Sequence, residues 1–226
     1  MATRGLLIAA LALVWAAPAM AIDFNGYASL GTDYVYRGIS LLESGPGVQG
    51  GIEAHAGPYF LAGVSAAKID RQWGYHVDES DHVQFDTYAG ADFGCGPHCR
   101  ARVVYSRYIY PGPDDRNWSE TTAALALFDR AGISYSYSPR GLGTYWPTRT
   151  WESWLQQPLS RAATIEVGYG RVLVLGFDYW YAHVGASYRI NRFVVDLTEY
   201  VGDDSLEHLM PGRNVNRLVL TLSTGF

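Results

Sequence analysis

Along most of this chain, apolar and polar residues alternate at a period of two. Over 82–93, Val83, Phe85, Ala89, Ala91 and Phe93 share one face, and Gln84, Asp86, Tyr88 and Asp92 share the other. Over 48–56, Val48, Ile52 and Ala54 oppose Gln49, Glu53 and His55. Phe60, Ala62, Val64 and Ala66 line one side of 59–68, and Ile133, Tyr135 and Tyr137 oppose three serines over 131–138. Trp151 and Leu155 oppose Glu152, Trp154 and Gln156, and Ile165, Val167 and Tyr169 oppose Thr164, Glu166 and Gly168. Such a pattern predicts strands with one greasy and one wet face. The first is predicted as one long strand over 22–37. Ala28, Leu30, Tyr34 and Tyr36 fall on its apolar face, and Asn25, Ser29, Gly31, Asp33 and Arg37 on its polar face. The segment 101–110 alternates poorly, so its facing stays open.

Clusters of Gly, Pro and Asp divide these segments. Connections at 57–58, 94–100, 129–130, 158–161 and 190–191 are short and alternate with longer ones, including 38–47, 69–81, 111–117 and 139–148. The expected fold is all-β: a transmembrane antiparallel up-and-down β-barrel of about twelve strands, with ten as the alternative. An even count puts both termini on one side. The competing class is a soluble sandwich. Tyr and Trp gather near segment ends, where a membrane barrel places aromatic girdles.

Composition narrows the class further. Charged residues are 17% and hydrophobic ones 48%, yet no stretch after the first 21 residues approaches the length of an apolar spanning helix. Within those 21 residues, Arg4, the apolar run from Leu6 to Ala17, and Ala19-Met20-Ala21 form a charged region, a short apolar region and a small-x-small cleavage site. The expected organisation is a signal peptide over 1–21, cleaved near Ala21, and a barrel over 22–226. Cleavage would remove Arg4 and move the formal charge from −5 to −6.

At the other end, Leu218, Leu220, Leu222, Thr224 and Phe226 lie two apart, with Arg217, Thr221 and Ser223 between them. This stretch resembles the final strand of bacterial outer-membrane barrels, and that resemblance implies that Phe226 is read by the barrel assembly machinery. A second resemblance lies in Thr32-Asp33-Tyr34-Val35-Tyr36-Arg37-Gly38-Ile39-Ser40 followed by Val48-Gln49-Gly50-Gly51. With Asp86-Thr87-Tyr88-Ala89-Gly90 and Tyr108-Ile109-Tyr110-Pro111-Gly112, it resembles a family of proteobacterial proteins known as porins of the TorF type, or as an uncharacterised conserved family. The likeness is specific over roughly the first half. It implies an outer-membrane barrel and brings no catalytic mechanism and no solute.

Candidate chemistry lies on the polar faces. Asp33, Arg37, Gln49, Glu53, Asp86, Glu120, Glu152, Glu166, Asp196 and Arg217 all fall on the expected lumen side. One reading is a selectivity lining, which with this excess of acids would favour cations. The other is a structural network filling a narrow interior. Antiparallel pairing of a long first strand would bring Arg37 close to Gln49 and Asp33 close to Glu53, and would set Arg37 between carboxylates. His183 and Ser187 share a face but lie about 13 Å apart along a strand, too far for a catalytic pair. No phosphate loop, metalloprotease motif or basic stripe appears, so no enzyme activity, cofactor or nucleic-acid partner is expected. Cys95 and Cys99 are the only cysteines. In an oxidising compartment they read as a disulfide, with a metal site through His98 as the weaker alternative. The expected function is an outer-membrane porin for small solutes or ions, with a plugged structural or adhesive barrel as the alternative.

Overall fold

In the computed structural model, which describes residues 21–42, 45–70, 83–111, 117–174, 176–206 and 216–226, the alternating segments pair edge to edge until the last meets the first. Twelve strands form the wall: β1 (Ile22–Gly31), β4 (Gly47–Ala56), β5 (Phe60–Lys68), β6 (Val83–Gly96), β7 (Cys99–Ile109), β8 (Trp118–Leu127), β9 (Ala131–Ser138), β10 (Thr148–Pro158), β11 (Ala163–Val174), β12 (Phe177–Ile190), β13 (Phe193–Gly202) and β14 (Arg217–Gly225). All neighbours are antiparallel, and closure removes every free edge. The expectation of about twelve strands in an up-and-down barrel holds. The expected signal peptide, His76, His82 and His208 lie outside the described residues.

Period-two patterning fixes which face each side chain takes. Outward positions carry Leu30, Ile52, Val64, Phe85, Val103, Leu125, Leu155, Val167, Val184, Leu197 and Leu220, all exposed. An exposed apolar band of this extent is unsustainable in water but suits a hydrocarbon surround. Phe24, Phe60, Phe93, Phe128, Tyr188 and Phe226 ring the end that holds both described chain ends and the short turns. Tyr137, Trp151, Tyr169 and Trp180 mark the other end. The connections at that end are long, apart from β11 to β12, where only 175–176 intervene.

The seam is made by β1 and β14, where Leu30 lies opposite Leu222 and Ala28 opposite Thr224. Beyond it, Phe226 and Gly26 exchange both backbone hydrogen bonds, at 2.7 and 2.9 Å. The Phe226 ring lies so close over Gly26 that any side chain there would displace it.

One element departs from the sequence-based expectation. The first strand ends at Gly31, not Arg37. Residues 32–42 leave the wall and form a small hairpin, β2 (Val35–Tyr36) and β3 (Ile39–Ser40). Arg37 and Gly38, both at positive φ, make its two-residue turn, the geometry that suits hairpin twist. Tyr34 and Tyr36 therefore do not face lipid. They pack inside the barrel against a buried cluster that includes Ile39, Leu41, Ile69, Tyr110, Trp118, Leu142, Tyr179 and Leu206. This cluster fills the lumen at the long-loop end, an apolar core inside an otherwise polar cavity.

Candidate functional site: the lumen and its inserted hairpin

The hairpin crosses the barrel. It leaves from β1, and its tip reaches β8 and β10, which flank the diametrically opposite strand β9. At the tip Arg37 is buried, 8% exposed. Its two terminal nitrogens donate to both carboxylate oxygens of Glu120 at 2.6 and 2.8 Å. Glu152 approaches to 3.8 Å on the other side and accepts a hydrogen bond from the Tyr181 hydroxyl. A planar fork on a carboxylate is the strongest form of such a pair. The arginine also stacks against the Tyr36 ring, 5.0 Å from its centroid. Tyr36 in turn touches Tyr108, hydroxyl to hydroxyl at 3.2 Å, and Tyr108 stacks on Trp118 at 3.8 Å. Gly38 is required at the tip by its positive φ and by the Tyr181 ring pressed against it.

The root of the hairpin is held separately. Asp33 accepts from Arg217 on β14 at 2.8 Å and from the Ser40 hydroxyl. Leu41 donates its backbone N–H to Tyr34, and Asp70 donates to Leu41. The expected approach of Arg37 to Gln49 and of Asp33 to Glu53 is therefore replaced. The register across β1 and β4 instead sets Ser29 opposite Gln49 and Asn25 opposite Glu53. The first strand stops too early to carry Asp33 or Arg37 along the wall.

Toward the short-turn end the lumen is polar. A cavity of about 570 Å³ opens there, lined in part by Asp23, Asn25, His55, Asp92 and Arg100. The remaining expected lumen residues are distributed around the wall. Glu53 lies 2.6 Å from His55. Asp86 accepts from Gln84 at 2.8 Å and from Ser65. Glu166 accepts from Gln156 and lies 3.0 Å from His183. Asp196 accepts from Thr198. Neither histidine is joined to a hydroxyl or thiol among the described residues. Several inward rings lie flat against glycines of the next strand, Tyr88 on Gly63 and Trp154 on Gly132 among them. A ring set against the wall leaves more of the cross-section open than one pointing across it.

Arg102 was missed from the sequence. It donates two hydrogen bonds to Asp92, at 2.6 and 2.7 Å. The inward face of β7 carries Arg102, Val104, Ser106 and Tyr108, while Arg107 faces outward. Each face thus holds an exception, which is why alternation was weak there. With Arg37, Arg102 and Arg217 each committed to a carboxylate, Glu53, Asp86, Glu166 and Asp196 remain without an arginine. The lining therefore keeps a negative excess.

Two outlying features complete the site. Cys95 and Cys99 are joined as a disulfide across the β6–β7 turn, at the short-turn mouth. After β13, Asp203 accepts from the Ser205 backbone N–H, which holds its carboxyl below the ordinary range. That turn seats Leu206 in the buried cluster.

Fold and lining define a porin-like outer-membrane β-barrel. The chain belongs to the family described as "Bacterial protein of unknown function (Gcw_chp)", whose model matches residues 15–144. No curated protein matches it by sequence. Among solved structures, the KdgM porin in complex with disordered oligogalacturonate is 9% identical, with a TM-score of 0.55 over 90% of this chain and 98% of that one. A second KdgM porin structure is 8% identical, with a TM-score of 0.51 over the same shares. A structure described under "Unveiling the Mechanism Behind the in-meso Crystallization of Membrane Proteins" is 14% identical, with a TM-score of 0.58 over 89% of this chain and 83% of that one. At these identities the likeness concerns the fold.

Proposed function

We propose that this protein is an outer-membrane channel for small solutes or ions, of the TorF porin type, with a preference for cations. The observation that carries this reading is the lumen itself: a polar wall with a negative excess, closed at one end by a hairpin whose tip is held by Arg37 between Glu120 and Glu152. Carboxylates without an arginine partner raise the local concentration of cations and oppose anions. The oligogalacturonate named with the KdgM porin is a poor guide here, because an anionic chain would be repelled by the same wall. The proposal includes export with cleavage near Ala21 and assembly into the outer membrane by the barrel assembly machinery.

The buried apolar cluster favours one other reading, a permanently plugged structural barrel. Planar-bilayer recording separates the two. Channel function predicts low or intermittent conductance for the wild type. It predicts a several-fold rise when residues 33–40 are replaced by a short Gly-Ser link. If neither protein conducts, the plugged reading stands and the channel reading falls.

A further inference from the structure

The outward face of β10 and β11 carries features that neither a pore nor a plain lipid-facing wall requires. Arg149 is exposed on β10, opposite Leu173 of β11, and has no partner among the described residues. Two positions along β11, Arg171 also faces outward and is held by Asp178 of β12. The two guanidiniums flank an outward cleft of about 500 Å³ at the long-loop end. With one acid for two arginines, the cleft keeps a net positive charge. Trp151 and Tyr169, on the hydrocarbon side of it, mark the boundary between headgroups and chains.

An arginine on the outer wall of a membrane barrel is costly unless it reaches an interfacial anion. Below the cleft, the same strand pair holds a second concavity. It is an outward groove of about 310 Å³ flanked by Ser153, Leu155, Val167 and Tyr169. It exists because Ser153 is small where its neighbours along the face, Trp151 and Leu155, are large. Cleft and groove are thus stacked along one seam, positive above and apolar below. The strand from Arg149 to Leu155 spans about 20 Å, a length that suits an extended acyl chain.

We infer that this seam binds a phosphorylated lipid of the surrounding leaflet, with its phosphate between Arg149 and Arg171 and one acyl chain along the groove. The site rests on the reading of the chain as a membrane barrel, but not on conduction, so a silent barrel leaves it standing.

The test is native mass spectrometry of the refolded full-length barrel, released from micelles containing lipid A as the probe. Parallel samples carry lipid A stripped of its phosphates, or lipid A with excess inorganic phosphate. The expected result is a retained adduct with lipid A and roughly ten-fold less with the dephosphorylated form, as befits loss of a charge-assisted contact. Arg149→Ala should lower retention by a similar factor, and Arg149→Lys should restore part of it. Ser153→Phe, which fills the groove and leaves the arginines in place, should lower it as well. Equal retention of both lipids, or an Arg149→Ala and Arg171→Ala double variant that binds as well as wild type, would overturn the site. So would displacement of the lipid by inorganic phosphate alone. Heat-shifted gel mobility reports folding of each variant independently. A wild type that never shows it would remove the barrel reading and this site together.

Discussion

At the scale of single residues, Arg37 pins the hairpin tip inside the lumen through Glu120. A non-glycine residue at positive φ costs about 1–2 kcal/mol, and Arg37 occupies such a position at the turn tip. The bidentate contact with Glu120 offsets that cost only while the hairpin stays docked. Glu120 is 2% exposed, so removing its cation strands a buried carboxylate, at about 3–5 kcal/mol. Arg37→Ala should therefore release the hairpin long before it unfolds the barrel. Limited proteolysis within 32–42 should become fast, and the fluorescence of Trp118 should shift as its aromatic neighbours leave. Arg37→Lys keeps charge but loses the fork and should be intermediate. A hairpin that stays protease-resistant in Arg37→Ala would show that the apolar cluster alone holds it. Phe226 acts at the seam. Its ring covers Gly26 and its backbone pairs there. Deleting it should lower the inserted, heat-shifted fraction several-fold while leaving expression unchanged. Normal insertion of the truncated chain would remove any assembly role for this residue.

At the scale of elements, the wall was legible and the hairpin was not. Strands β4, β5, β6 and β9, and β10 and β11 away from their long-loop ends, keep apolar residues on the outward face and mostly polar or small ones on the inward face. Their facing followed from alternation alone, because a one-residue slip would turn every Leu and Val inward. The stretch after Gly31 keeps the same period, with Tyr34 and Tyr36 in phase with Ala28 and Leu30, yet it lies inside. Period two reports an extended chain with two unlike faces. It does not report whether the apolar face meets lipid or an internal core. The available signal was Arg37-Gly38, a two-residue turn within a supposed strand. The partners of Arg37 were beyond reach in principle, because Glu120 and Glu152 meet it only after the barrel has closed. The β6–β7 turn behaves differently, since its disulfide closes a very small loop. By chain entropy that link is worth about 2 kcal/mol. Cys95→Ser with Cys99→Ser should lower the thermal midpoint by a few degrees without changing assembly, as read by circular dichroism with and without reductant. A loss of folded barrel in that variant would mean that the turn nucleates the β6–β7 pairing.

At the scale of the whole molecule, the balance of lumen charge predicts what a conducting state should select. Arg37, Arg102 and Arg217 are each committed to a carboxylate, and Glu53, Asp86, Glu166 and Asp196 remain on the inner wall without an arginine. Docking of the hairpin adds one cation to that interior and occupies its long-loop end. Release of the hairpin through Arg37→Ala does two separable things: it widens the path, which raises conductance, and it removes a positive charge, which leaves Glu120 and Glu152 exposed to the pore. The first effect alone would weaken selectivity, because a wider pore holds more bulk-like solution and the wall charge is screened within about 8–10 Å at physiological salt. The second alone would strengthen it. Replacing 33–40 with a neutral linker also removes Asp33 and frees Arg217, so it widens the pore with less negative excess. Across a salt gradient, Arg37→Ala should thus give a reversal potential further toward the cation limit than the linker variant at comparable conductance. Asp86→Asn with Asp196→Asn, placed in the Arg37→Ala background, should bring it back toward zero. If the two hairpin variants share one reversal potential, and neutralising Asp86 and Asp196 does not move it, then the wall charge serves only to hold the barrel together. The cation preference would then fall even for a protein that conducts.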